Sequence, residues 1–123
     1  MAKTHQDLRV YMKSFDAAMG IYYFTKSFPK EEIYSLTDQI RRSSRSVNAN
    51  IAEAFRRRKY KKYFVLKLNE SEAEAAETQN WLDFSLKCEY INPEIHQKYV
   101  ETYDEIIGML VNMQKNPHKW LLI

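Results

Sequence analysis

The chain has 123 residues, a formal net charge of +3, one cysteine, three prolines and two glycines. This length is typical of a single domain, and one cysteine excludes an internal disulfide and a cysteine-built zinc site. So few helix-breaking residues favour long helices over a β-fold with many turns.

The sequence contains no sign of export or membrane insertion. Cys88 fits a reducing compartment, where a small buried apolar role is more common for such a residue than a nucleophilic one. The N-terminal residues lack the apolar core of a signal peptide, and the apolar runs at 106–111 and 120–123 are far shorter than the roughly 20 residues that span a bilayer. We therefore expect a cytoplasmic protein without a membrane segment.

Apolar residues recur with the helical period in two stretches of the first half. The first predicted helix covers about 8–27 and ends before Phe28-Pro29. The second covers about 31–57, and its first residues, Glu31 and Glu32, suit the positive end of a helix dipole.

Two more helices are predicted in the second half, over about 60–89 and 93–115. The fourth opens at Asn92-Pro93, a capping residue followed by proline at the first helical position. Its predicted buried stripe is Ile95, Tyr99, Thr102, Ile106, Leu110 and Met113. Residues 116–123 follow as a tail, whose apolar end Trp120–Ile123 is expected to fold back on its own bundle or to dock on a partner.

These patterns predict one all-α domain over residues 1–123. Every apolar stripe has the helical period, and none shows sustained alternation. Connections of two to five residues place neighbouring helices antiparallel. The predicted architecture is an antiparallel up-down-up-down four-helix bundle.

The second helix divides into three sides when its residues are placed 100° apart. Ile40, Val47 and Ile51 face the core. Glu53 and Arg57 are spaced as a favourable i, i+4 pair. A polar strip faces the glutamate-rich flank of the third helix, where Arg42 and Arg57 are expected to meet carboxylates. The candidates for this structural network or subunit interface are Gln39, Arg42, Ser46, Asn50, Glu53, Glu74, Glu77 and Trp81.

Charge is sorted along the chain. Residues 41–62 carry nine basic groups and one acidic group, whereas residues 63–105 carry three basic and ten acidic groups. Packed arginines and lysines bind phosphates, and tyrosines among them stack on bases. The nucleic-acid-binding candidates are Arg41, Arg45, Arg56, Arg57, Arg58, Lys59, Tyr60, Lys61, Lys62 and Tyr63. The alternative is that this basic run is only solvated or neutralises the acidic third helix.

No catalytic residues, metal ligands or cofactor are predicted. Di-metal bundles use Glu-x-x-His on two helices, and no histidine here lies three residues after a glutamate. A glycine-rich phosphate loop needs more glycines than Gly20 and Gly108, and no nucleophile–histidine motif is recognisable. The sequence therefore predicts a protein that is not an enzyme.

A family resemblance is carried by two blocks, FPKEEIYSLTDQIRRSSRSVNANIAEAFRR and FVLKLNESEAEAAETQNWL. They resemble the bacterial, four-helix-bundle family of 23S rRNA intervening-sequence proteins. The matching positions are Phe28, Pro29, Glu32, Leu36, Gln39, Ile40, Arg42, Ser46, Asn50, Ile51, Ala52, Glu53, Glu74, Glu77, Thr78, Trp81 and Leu82. Ala54 stands where the family usually has glycine, which favours continuation of the helix toward Arg58.

The resemblance implies a homo-oligomer, and specifically a pentamer like the ring-shaped accessory proteins of diversity-generating retroelements, with RNA or DNA and a protein as partners. It implies no activity. The leading hypothesis is a non-catalytic, oligomeric protein that binds nucleic acid through the basic junction of helices two and three. The competing hypothesis is a protein–protein interaction scaffold whose sorted charges serve only assembly.

Overall fold

A computed structural model describes residues 3–121. In this range the chain forms four α-helices and no β-strand: α1 (Arg9–Thr25), α2 (Leu36–Arg56), α3 (Lys61–Lys87) and α4 (Pro93–Lys115). Short 3-10 turns lie at His5–Asp7, Lys30–Glu32 and Pro117–Lys119. The predicted all-α class with four helices is confirmed. None of the helices within residues 3–121 has the length and apolar content needed to cross a membrane.

All four helices contribute side chains to one core. Ile40 and Ile51 of α2 and Leu68 of α3 are completely buried, as the helical period predicts. On α4 the predicted stripe is buried at Ile106, Leu110 and Met113, whereas Ile95, Tyr99 and Thr102 are only partly buried. Tyr103, which was not predicted, is fully buried in place of Thr102. The bulky ring is placed in the core and the small hydroxyl donates to the backbone oxygen of Lys98.

The second helix begins five residues later than predicted. Residues Lys30–Glu32 form a 3-10 turn instead, and Ile33 is half exposed. The Glu32 carboxylate accepts hydrogen bonds from the Leu36 backbone N–H (3.3 Å) and from the Tyr90 hydroxyl (2.9 Å). Glu32 therefore caps the start of α2 from the preceding turn rather than lying inside the helix.

Small hydroxyl side chains link α2 to α3 inside the core. Ser71 Oγ donates to the backbone oxygen of Val47 at 2.7 Å, and Thr78 Oγ1 donates to Ser43 Oγ at 2.8 Å. Later residues of α3 thus meet earlier residues of α2. These buried groups are satisfied within the pair of helices, and their small size lets the helices approach closely.

The apolar tail is partly docked on the bundle. Trp120 and Leu121 are half-buried and pack against the core, so this part of the tail folds back on its own bundle. Leu122 and Ile123 lie outside the described residues.

The expectation that Cys88 is buried is wrong. Cys88 is the C-cap residue that follows the last turn of α3, and its side chain is exposed.

Candidate nucleic-acid interface

The turn between α2 and α3 brings five exposed basic residues to one end of the bundle. Arg56 ends α2, Arg57 forms its C-cap, Lys59 lies in the turn, and Lys61 and Lys62 open α3. Among the described residues, no carboxylate forms a salt bridge with any of the five. These five residues, named here the junction cluster, are therefore available to bind phosphates.

Two tyrosines lie next to the basic residues of the junction cluster. Tyr60 and Tyr63 are each about half exposed, and their rings meet edge to face at a centroid distance of 6.2 Å. The ammonium group of Lys59 is 5.8 Å from the centre of the Tyr60 ring. Aromatic faces next to cations are the arrangement on which single-stranded bases stack.

The first turn of α3 adds a favourable field for anions. Tyr60 is the N-cap residue and makes no side-chain capping bond, and the first turn contains no acidic residue. The backbone N–H groups at the start of a helix lack intrahelical partners and carry the positive end of its dipole. A phosphate near Lys61 and Lys62 would meet both the ammonium groups and this helix end.

Arg58, another candidate, is engaged within the chain. Its Nε donates to the backbone oxygen of Phe55 at 2.7 Å, and the guanidinium lies 3.4 Å from the centre of the Phe55 ring. Burial, helped by the charge of Arg56, lowers the pKa of Arg58. Arg58 thus fastens the end of α2, and α2 does not continue to it as the alanine at position 54 led us to expect.

Arg41 and Arg45 lie apart from the junction cluster. Arg41 Nε donates to Thr25 Oγ1 at 2.8 Å, and its guanidinium lies over the ring of Tyr22 at 4.9 Å. Arg45 is exposed and lies 5.8 Å from the same ring. It precedes Arg56 by three helical turns, about 16 Å along α2. These two arginines border α1 rather than the α2–α3 turn.

Sequence reasoning missed two residues beside the cluster. A surface groove of 570 Å³ is lined by His5 and Lys67 together with Arg56 and Arg57. The His5 ring packs on Tyr11 at 4.8 Å. No sequence signal links this N-terminal histidine to the end of α2, because only the tertiary fold brings them together.

Lys67 explains why the expected pairing of Glu53 with Arg57 is wrong. Its ammonium group binds the carboxylates of Glu53 at 2.8 Å and Glu70 at 3.0 Å, which raises the pKa of Lys67. Arg57 is the C-cap residue of α2, and its backbone N–H still donates to the Glu53 carbonyl oxygen at 3.1 Å, but the Glu53 carboxylate is bound by Lys67 instead.

The predicted polar strip forms a small cavity between α2 and α3. Gln39, Arg42, Ser46, Glu74 and Glu77 line this space of 250 Å³. Burial raises the pKa of Glu74, and the charge of Glu77 and a hydrogen bond between the two carboxyl groups raise it further, while a hydrogen bond from Ser46 lowers it. Within residues 3–121 no salt bridge joins Arg42 to either glutamate. Arg42 is exposed and faces solvent at the rim.

The remaining strip residues lie on either side of this cavity. Asn50 Nδ2 donates to Ser46 Oγ at 3.2 Å. Trp81 lies beyond Gln39 in a separate groove of 400 Å³, next to Phe84 at a ring distance of 5.8 Å. Its indole Nε1 is buried and has no hydrogen-bond partner in the part of the chain that the structure describes.

The glutamates do not converge on a metal position. In α4, Glu105 binds the ammonium group of Lys13 and Glu101 accepts from Gln97. Throughout residues 3–121, no group of three or more histidine, cysteine, aspartate or glutamate side chains is arranged to hold a metal ion.

The family model described as "23S rRNA-intervening sequence protein" matches residues 6–112, which is most of the chain. The chain belongs to this family. A comparison with curated proteins finds no significant match. A similar solved structure is a protein of unknown function from the S23 ribosomal protein family of Bacteroides thetaiotaomicron. It is 33% identical, the match covers 86% of this chain and 95% of that one, and the TM-score is 0.78.

Most of the residues that carry the family resemblance lie on α2 and α3, and Phe28, Pro29 and Glu32 precede α2. Ile51 is buried in the core, whereas Asn50 and Glu53 lie on the strip that faces α3. The alanine in the position usually occupied by glycine, Ala54, is fully buried. The junction cluster begins with the last two residues of the first block, Arg56 and Arg57, and ends before the second block starts at Phe64.

Proposed function

We propose that this protein is a non-catalytic, self-assembling accessory protein that binds RNA or DNA through the junction cluster. The observation that carries the proposal is the group of five exposed cations around Tyr60 and Tyr63 at the uncapped start of α3, none of which forms a salt bridge within residues 3–121. The recognised groups are the phosphate backbone and the faces of unpaired bases. No base-reading helix is needed, so binding should depend weakly on sequence and steeply on salt.

Self-association is part of the proposal. The resemblance to ring-forming accessory proteins supports a homopentamer, and a ring would present five copies of the junction cluster to one polynucleotide. Linked sites bind far more tightly than a single site when the ligand spans them. Affinity for a long strand should therefore exceed affinity for a short one by much more than the ratio of lengths.

The experiment is fluorescence anisotropy with single-stranded RNA, single-stranded DNA and duplex DNA over a range of salt concentrations. The test variant is Lys59→Gln/Lys61→Gln/Lys62→Gln. The matched control, Lys87→Gln/Lys98→Gln/Lys115→Gln, removes the same charge from exposed positions elsewhere. We expect the test variant to bind at least tenfold more weakly and with a shallower salt dependence, and the control to bind almost normally.

A second comparison isolates stacking. Replacing Tyr60 and Tyr63 by leucine should weaken the binding of single strands by about 1–3 kcal/mol per stacked base and should change the binding of duplexes much less. No binding at low salt, or equal losses in the test and control variants, would leave the scaffold function as the better account. That alternative is favoured by the apolar side chains that the bundle exposes on α1 and α3.

A further inference from the structure

The outer face of α1 is apolar with a basic margin. Met12, Phe15, Met19 and Tyr23 recur at helical spacing and remain 37–60% exposed. They lie on the side opposite the buried residues of the same helix. Several neighbouring exposed apolar residues on one helix face indicate a docking surface rather than scattered surface residues.

The basic margin of this face comes from α1 and α2 together. Lys26 continues the stripe beyond Tyr23, and its ammonium group lies 5.3 Å from that ring. Arg45 approaches Tyr22 from α2 and is exposed. The surface formed by Met12, Phe15, Met19, Tyr23, Lys26 and Arg45 is named here the α1 face.

A second apolar surface lies on α3 and has the opposite charge. Leu66 and Phe84 are each about half exposed, and Trp81 is partly exposed. Glu70, Glu74 and Glu77 lie between them on the same side of the helix. The surface formed by Leu66, Glu70, Glu74, Glu77, Trp81 and Phe84, about 27 Å long at 1.5 Å per residue, is named here the α3 face.

The two faces lie on either side of α2. Arg41 and Asn48 of α2 contact α1, whereas Ser43 and Val47 contact α3. One copy can therefore present both faces to two different neighbours at the same time.

We propose that the α1 face of one copy docks on the α3 face of the next copy. Each face combines apolar side chains with charge. On the α1 face the cations Lys26 and Arg45 outnumber the exposed Asp16, and on the α3 face Glu74 and Glu77 remain beside Glu70, which is paired with Lys67. The net charges of the two faces are therefore complementary. Like-with-like pairing is disfavoured, because two α1 faces would oppose Lys26 and Arg45 to their own copies and two α3 faces would oppose glutamates to glutamates. Head-to-tail docking also covers the half-exposed rings of Tyr23 and Phe84 in one step.

This inference rests on the self-association proposed above and specifies how it occurs. A head-to-tail contact uses two different surfaces of each copy, so it closes into a ring or continues as a filament instead of stopping at a symmetric dimer. The junction cluster belongs to neither face and stays accessible in such an assembly.

The test uses two variants of the full chain, each with one disabled face. Met12→Glu/Tyr23→Glu places carboxylates on the α1 face, and Leu66→Glu/Phe84→Glu places them on the α3 face. All four positions are exposed in the single chain, so circular dichroism and thermal unfolding should show intact bundles. Both changes add negative charge, so the two disabled faces also repel each other.

Native mass spectrometry should show that the wild type is an oligomer and that each variant on its own is a monomer. An equimolar mixture should form a one-to-one heterodimer, since one variant keeps a working α1 face and the other a working α3 face. Wild-type mass in either variant, a homodimer of either variant, or a mixture that stays monomeric would overturn the docking. A monomeric wild type would overturn the self-association as well. Nucleic-acid binding is read independently in the wild type and in Met12→Glu/Tyr23→Glu, because Leu66→Glu would place a carboxylate one helical turn from Lys62 of the junction cluster.

Discussion

Gly20 of α1 leaves the space that the hydroxyl group of Tyr99 on α4 occupies. A Cβ atom on Gly20 would overlap this hydroxyl and lie 2.9 Å from the ring carbon that bears it. The Tyr99 ring is also held edge-on by Phe24 at 5.2 Å. Gly20 is therefore needed for close approach of α1 and α4, and not for an unusual backbone conformation.

Gly20→Ala should destabilise the bundle although alanine is the better helix former. The propensity gain of about 1 kcal/mol is outweighed because Tyr99 must move, and overpacking typically costs about 1–3 kcal/mol. Gly108→Ala is the matched control, because its Cβ would meet no atom within 4 Å, and it should raise stability. Urea unfolding of both variants tests this, and a stabilised Gly20→Ala protein would contradict it.

The hydrogen bond from Tyr90 to Glu32 predicts a specific alkaline response. The Glu32 carboxylate raises the pKa of Tyr90 to about 12. The folded chain therefore keeps this proton above pH 10, where an unfolded tyrosine loses it, and stability is lost as pH rises from about 10 to 12. Tyr90→Phe should be less stable than the wild type at pH 8, and the difference should shrink by pH 11.

Chemical unfolding at the two pH values measures this difference. Tyr34→Phe is the control. Tyr34 is almost fully exposed, so this variant should have the same stability as the wild type at pH 8 and at pH 11. A gap between the wild type and Tyr90→Phe that stays constant with pH would show that the Glu32 contact does not hold the proton.

The apolar period was sufficient to predict the four helices and most of their buried positions. Ile40, Val47 and Ile51 are buried because residues seven or four apart share one face of a helix. The start of α2 was not predictable in this way. Glu32 is held by Tyr90, a contact between residues far apart in sequence, and no local pattern distinguishes a capping glutamate from one in a first turn.

The site was predicted less completely than the fold. The order of charged residues along the sequence locates the basic run, but it cannot show which arginines bind other parts of the chain. Arg58 stacks on Phe55 and Arg41 binds Thr25 only once the turn and the helix pair have formed. His5 joins the groove beside Arg57 for the same reason. Charge counts therefore identify the basic region, whereas the tertiary structure is needed to tell which of its side chains bind no other part of the chain.

Glu74 and Glu77 share the cavity between α2 and α3, where their carboxyl groups interact. Burial and then the charge of Glu77 raise the pKa of Glu74. The folded state thus holds a proton to a higher pH than the unfolded chain, so stability falls as pH rises above the ordinary glutamate range. Glu77→Gln should lower the pKa of Glu74 and reduce this loss of stability.

Side-chain carboxyl NMR titration reads the pKa of Glu74 directly in the wild type and the variant. Ser46→Ala should move it in the opposite direction, because it removes a hydrogen bond that favours the charged form. Glu72→Gln, which removes a carboxylate that accepts from Gln114 of α4, should leave it unchanged. If Glu72→Gln and Glu77→Gln had the same effect, the shift would reflect the general negative charge of α3, and the specific pairing of Glu74 with Glu77 would be wrong.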